Sequence, residues 1–281
     1  MRKSASYDHL AAFAVEHPWA ITPTMLSLLA NIIANRMAGE APEEAALLRA
    51  QELRAAREFP VASGGSVRVI PLHGVIAPRM NLMSELSGGT TFEALSAQLQ
   101  QAEADPNVKS IVFDVDSPGG NVSGATEFSR DVMRVRTVKP IFAHVHPLGA
   151  SAAYHAIAGV TEIVASPSAL VGGIGVFSIY DDLTEALAQL GIKREVLRAG
   201  KFKAEGVGGT GLTSEAREHM THLIDGAYSR MIGDIAKGRG VTPAAVRNGF
   251  GEGRVLDADD AKAAGLIDRV GTLQETIDRA A

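Results

Sequence analysis

The chain contains no cysteine, which excludes disulfides, thiolate metal sites and a thiol nucleophile, and permits a reducing compartment. It has little excess charge of either sign. A net charge of -5 and a pI near 5.9 argue against a broad nucleic-acid-binding surface. Long hydrophobic runs are also lacking. Leu10 to Val15 is cut short by Glu16, His17 and Pro18, too weak for a secretory signal. Met25 to Ala34 reaches only about two to three helical turns, against the ~20 residues of a bilayer span, so no membrane span is expected. What remains is 281 residues, 46% apolar and 21% charged, enough for one large or two modest globular domains with a sizeable core.

Residues 5 to 37 read as helical, with Trp19 and Ile21 ahead of a helix start at Thr22-Pro23 and an apolar face of Leu26, Leu29, Ile32 and Ile33. A second helix is expected over Glu43 to Glu58. Pro60 and Ser63-Gly64-Gly65 then mark the boundary between an N-terminal helical appendage, 1–65, and a main domain, 66–281.

From Ser66 strands and helices alternate. Strands are expected over Val67 to Ile76 with a break at Gly74, Val108 to Val115, Pro140 to Val145, Glu162 to Ala165 and Arg194 to Arg198. Helices are expected over Thr91 to Ala104, Val122 to Val135, Ala152 to Gly159, Asp181 to Leu190 and Ser214 to Lys237. Apolar runs with helices between them predict an α/β domain whose sheet is covered on both faces. Functional residues in such sheets gather in the loops that follow the strands.

Three loops carry unusual residues. Ser151 lies in Gly149-Ala150-Ser151-Ala152, where a strand turns into a helix. A hydroxyl there sits at the positive end of the helix dipole beside unpaired N–H groups, and small neighbours leave room for a substrate carbonyl. The same position also suits an ordinary N-cap. The second loop, Asp116-Ser117-Pro118-Gly119-Gly120-Asn121, can turn backbone N–H groups outward without a side chain in the way. An oxyanion requires donors so arranged, and the N–H of Ala152 could supply another. Alone, Pro-Gly-Gly is equally a plain turn.

A serine needs a base. None of the eight histidines falls between His155 and His219. His155, one helical turn after Ser151, reads as a packed or surface residue. His144 and His146 alternate on a strand as a possible metal pair, but no third ligand has suitable spacing, and no metal or cofactor is expected. Lysine can serve if burial lowers its pKa from about 10.4 to near 7, which costs the charged form roughly 4 kcal/mol. The third loop, Arg198-Ala199-Gly200-Lys201-Phe202-Lys203, offers two. Phe202 could exclude water from Lys203, whereas no such reason supports Lys201.

The Pro-Gly-Gly loop, Ser151 among small residues, Val171-Gly172-Gly173-Ile174-Gly175-Val176 and Gly200-Lys201-Phe202-Lys203 together resemble the signal peptide peptidase A family of Ser-Lys serine peptidases. The resemblance spans roughly residues 66 to 275 and implies a Clp-protease/crotonase-like fold. Within that family the likeness is to head-maturation proteases of lambda-like tailed phages. It implies Ser151 as nucleophile, Lys203 as general base, and Gly119 or Gly120 with Ala152 as the oxyanion hole. It also implies a homo-oligomer acting on scaffold, portal or capsid precursors in the host cytoplasm, within the prohead. Two departures stand out. Ala152-Ala153 replaces the paired glycines of many cellular members, and Gly175-Val176 stands where a Clp protease carries its histidine. The rival readings are a cellular signal-peptide-digesting enzyme, a crotonase-like acyl-CoA enzyme without a nucleophile, and a non-catalytic assembly protein.

Overall fold

A computed structural model of the chain describes residues 19–25, 66–79 and 89–281. The expected helix over 43–58, the Ser63-Gly64-Gly65 boundary and most of the 5–37 segment lie outside those residues. Trp19–Ile21 (β1) is a buried strand rather than part of a helix, and helical backbone begins only at Pro23. Thr22, directly before that proline, is disfavoured in the helical region, and the apolar triplet finds a strand edge to pair with.

Val67–His73 (β2) ends at Gly74, which has φ +67° and turns the chain into Ile76–Ala77 (β3). After Thr90–Thr91 (β4), the Thr91 hydroxyl accepts the Ala94 N–H at 3.1 Å and starts Phe92–Ala104 (α1). The chain continues through Ser110–Ser117 (β5), Gly119–Asn121 (β6), Ala125–Val135 (α2), Ile141–Ala150 (β7), Ala152–Ile157 (α3), Glu162–Ala165 (β8) and Leu170–Gly172 (β9). Thr184–Gln189 (α4), Ser214–Arg239 (α5), Pro243–Gly249 (α6), Val255–Asp257 (β10), Ala258–Ala263 (α7), Arg269–Val270 (β11) and Leu273–Ala280 (α8) complete it.

The main sheet runs β10-β9-β7-β5-β2, with β8 beside the first half of β7 and β11 beside β8. Its pairs are parallel except β10 with β9. Parallel strands need covering on both faces, and the alternation along β5 meets that need. Ile111, Phe113 and Val115 face a core with α1 and α2, where the Phe128 ring lies 5.8 Å from Phe92 and 5.9 Å from Phe113. Val112, with Phe142 of β7, faces Ile277 and Ala280 of α8. This is the α/β organisation that the apolar runs predict, a mostly parallel sheet covered on both faces. A smaller sheet runs β1-β6-β3-β4, its strand β6 following β5 of the main one after a single residue.

The expected strand over Arg194 to Arg198 is absent: residues 192–198 are irregular. A strand requires an edge to pair with, and this segment has none within the described residues; Leu197 is 93% exposed. The same exposure extends into α5, whose first three turns are largely open to solvent while Met231, Ile232 and Ile235 in its second half are buried.

Candidate active site

Ser151 directly follows β7 and caps α3 with φ +57° and ψ −117°, a conformation that a side-chain-bearing residue adopts only under constraint from its surroundings. The constraint is visible in the main chain. The Ser151 N–H donates to the Gly172 carbonyl at 2.7 Å, and its carbonyl accepts the His155 N–H at 2.9 Å. One bond belongs to the strand side and one to the helix, so the turn between them is over-determined. Such a strand-to-helix elbow pushes a nucleophile out of the backbone envelope. The hydroxyl donates to the Gly175 carbonyl at 3.4 Å, a long bond that is readily exchanged.

Gly119 is brought directly against this serine. Its φ is +100°, and a Cβ built on it would stand 2.9 Å from Ser151 Cβ and from the Ala150 carbonyl oxygen. The Gly119 N–H donates to Ser117 Oγ at 3.2 Å, and that hydroxyl donates to the Gly74 carbonyl at 2.6 Å. Gly120 pairs with Ala20 on one side and Ile76 on the other. The Ala152 N–H belongs to the first helical residue after the cap and has no acceptor within its own helix. Gly119 thus stands against Ser151, Ala152 follows the serine directly, and Gly120 is the next residue of β6.

Lys203 does not join them within the single chain. It is exposed, in a turn where its N–H donates to the Gly200 carbonyl at 3.1 Å, and it makes no hydrogen bond to Ser151. The ring of Phe202 does not shield it either: Lys201 Nζ lies 4.5 Å from that ring's centroid and 3.3 Å from Glu215 Oε1.

His155 is packed, with Nε2 3.1 Å from Asp234 Oδ2, both groups being buried. Burial pushes the Asp234 carboxyl up, but the hydrogen bond and charge of His155, with smaller help from Thr126 and Arg130, leave it below its ordinary value. The His144 and His146 pair separates: His146 is exposed, and buried His144 meets Thr276 Oγ1 at 3.2 Å and Ser166 Oγ at 3.1 Å. Burial, the largest influence, brings the His144 pKa down to about 4.

Sequence reasoning gave two contributors no role in the site. The Gly172–Gly175 strip supplies both main-chain acceptors of Ser151, and Gly173, with φ +61°, would place a Cβ 3.5 Å from the Ser151 N–H nitrogen. Its signal was the glycine spacing in Val171-Gly172-Gly173-Ile174-Gly175-Val176. Strand β1 was the other; no local pattern distinguishes it from a helix lead-in.

A family model, Peptidase family S49, matches residues 133–281, which carry Ser151 and Lys203. The chain belongs to peptidase family S49. Among the relatives of this S49 chain, Protease 4 of Salmonella typhi is 30% identical over 223 residues, 79% of this chain and 35% of that protein. Capsid assembly protease C of Escherichia phage lambda is 28% identical over 217 residues, 77% of this chain and 48% of that protein. The chain thus spans less than half the length of either. Among solved structures, a point mutant of ClpP1 from Listeria monocytogenes aligns with a TM-score of 0.48 at 15% identity, covering 75% of this chain and 94% of that one.

Proposed function

We propose that this S49 chain is a serine endopeptidase in which Ser151 is the nucleophile and Lys203 the general base. The observation that carries the reading is the strained Ser151 elbow set against the bare Gly119 backbone. Neutral Lys203 takes the Ser151 proton as Oγ attacks the scissile carbonyl carbon. The oxyanion is held by the Ala152 N–H together with that of Gly119 or Gly120. Collapse breaks the C–N bond, the amine leaves with the proton from Lys203, and water hydrolyses the acyl group from Ser151.

A neutral lysine at working pH requires desolvation, and Lys203 is exposed in the isolated chain. Its segment also displays Leu190, Ile192, Leu197 and Phe202, 72%, 50%, 93% and 54% exposed. Apolar exposure on that scale favours a covering partner, and the partner in this proposal is another copy of the chain. A homo-oligomer then buries the segment and brings an amine to the serine. The substrates proposed are phage scaffold, portal or capsid precursors, cut in the prohead within the host cytoplasm. Support comes from the likeness to a protein named as a capsid assembly protease. Among the described residues no helix is long and apolar enough to cross a membrane.

The test is labelling of the assembled protein by an alkyl fluorophosphonate. Ser151→Ala is expected to abolish labelling, and Lys203→Met to slow it about 10²-fold or more, the usual contribution of a general base. Lys201→Met should leave it nearly unchanged. Normal labelling of Ser151→Ala defeats the nucleophile assignment, and loss in Lys201→Met alone moves the base to Lys201.

A further inference from the structure

Ser151 is only 1% exposed, although nothing bulky stands on its own loop. Strand β1 passes close to it on the far side of Gly119. Trp19, Ala20 and Ile21 pair antiparallel with Asn121, Gly120 and Gly119 respectively. On the opposite edge, the Trp19 N–H donates to the Phe177 carbonyl at 2.8 Å and the Phe177 N–H donates to the Trp19 carbonyl at 3.0 Å. The Thr22 N–H extends the ladder to the Pro118 carbonyl at 3.0 Å. An extended segment is thus held by its main chain on both sides, across the candidate oxyanion loop.

Its distance from the nucleophile follows from Gly119. A Cβ there would overlap the Ala20 carbonyl oxygen and also stand 2.9 Å from Ser151 Cβ, so the Ala20 carbonyl lies within one methyl group's breadth of the serine side chain. Beyond it, Ile21, Pro23 and Met25 line, together with Pro118, Leu148 and Leu170, a mostly apolar cavity of about 670 Å³. Main-chain pairing accepts many sequences, while side chains at alternate positions enter flanking pockets. Glycine at 119 and 120 lets the passing backbone lie flush.

We propose that Trp19–Thr22 is a displaceable resident of the slot between Gly119–Asn121 and Phe177, seated there in place of an extended apolar peptide. A peptide in trans enters antiparallel to Gly119–Asn121 only when this segment leaves. The consequence for catalysis rests on Ser151 being the nucleophile; the occupied slot itself does not. In that setting the resident segment holds the enzyme closed until assembly or substrate displaces it.

The full wild-type chain supplies its own reporter, since Trp19 is its one tryptophan and is buried. Titration with the peptide acetyl-Phe-Ala-Ile-Thr-amide is expected to give a saturable red shift of Trp19 emission. Absence of a saturable shift overturns the proposal. A second measurement exploits the cysteine-free background: Trp19→Cys with Asn121→Cys joins a paired position. Anisotropy of a fluorescein-labelled form of the peptide should report binding at least tenfold weaker in the cross-linked than in the reduced protein. Equal affinities in the two forms overturn the proposal as well. Alkyl fluorophosphonate labelling, run in parallel, separates the two readings. A saturable Trp19 shift together with labelling that survives Ser151→Ala leaves the slot standing and removes the nucleophile. Labelling without a shift does the reverse.

Discussion

Replacing Gly119 by alanine tests the closeness of three chain segments at once. The added methyl has no free direction: it meets the Ala20 carbonyl on one side, and Ser151 Cβ and the Ala150 carbonyl oxygen, each at 2.9 Å, on the other. None of these is the free end of a flexible side chain. The backbone at φ +100° is itself unfavourable for an L-residue, costing roughly 1–3 kcal/mol for strain of this kind. Overpacking of a close-packed site costs roughly 1–3 kcal/mol, so a loss of about 2–6 kcal/mol is expected. At roughly 2–4 °C per kcal/mol for large domains, the melting temperature should fall by about 4–24 °C. Differential scanning calorimetry measures that fall. Fluorophosphonate labelling of the folded variant reports whether Ser151 has moved. A melting temperature within about 2 °C of wild type, with unchanged labelling, would refute the claim that β1, β6 and the serine elbow meet at this point.

Ser151→Gly and Ser151→Ala both remove the hydroxyl, but only alanine keeps the penalty of φ +57°. The glycine variant should therefore be the more stable by about 1 kcal/mol in denaturant titration. His144 gives a pH signature. Its folded pKa of about 4 lies below the ordinary 6.5, so between these values the unfolded chain binds a proton that the folded chain refuses. Stability attributable to this group is complete above pH 6.5 and falls by about 3 kcal/mol as pH drops to about 4. His144→Gln should flatten that part of the stability profile relative to wild type. Asp234→Ala strips the acceptor from buried His155 and should cost about 1–3 kcal/mol, read from the midpoint of urea unfolding. Asp234→Asn, which keeps an acceptor oxygen, should cost less.

Much of the architecture was legible in the chain because local chemistry and burial agreed. The apolar run from Val108 reads as a doubly covered strand because α1, α2 and α8 do cover it, and Thr91 announces its helix by capping it. Ser151, Gly119, Gly120 and Ala152 were legible as candidates because small residues at strand ends leave few physical purposes other than close backbone approach. Arg194 to Arg198 failed as a strand for the opposite reason: β propensity without an edge to pair with specifies nothing. Trp19–Ile21 was misread because its partner lies about a hundred residues away, and pairing across that distance leaves no periodicity behind.

The residue types alone determined that this chain has no thiol chemistry, that it builds a covered α/β sheet, and that a serine among glycines and alanines is its candidate nucleophile. Only the tertiary structure decided what stands near that serine. Backbone amides and a passing strand come to it through hydrogen bonds between segments remote in sequence, whereas the lysine, on a segment largely open to solvent among the described residues, stays exposed. Local preference acts over a few residues. Proximity is set by which distant surfaces bury one another.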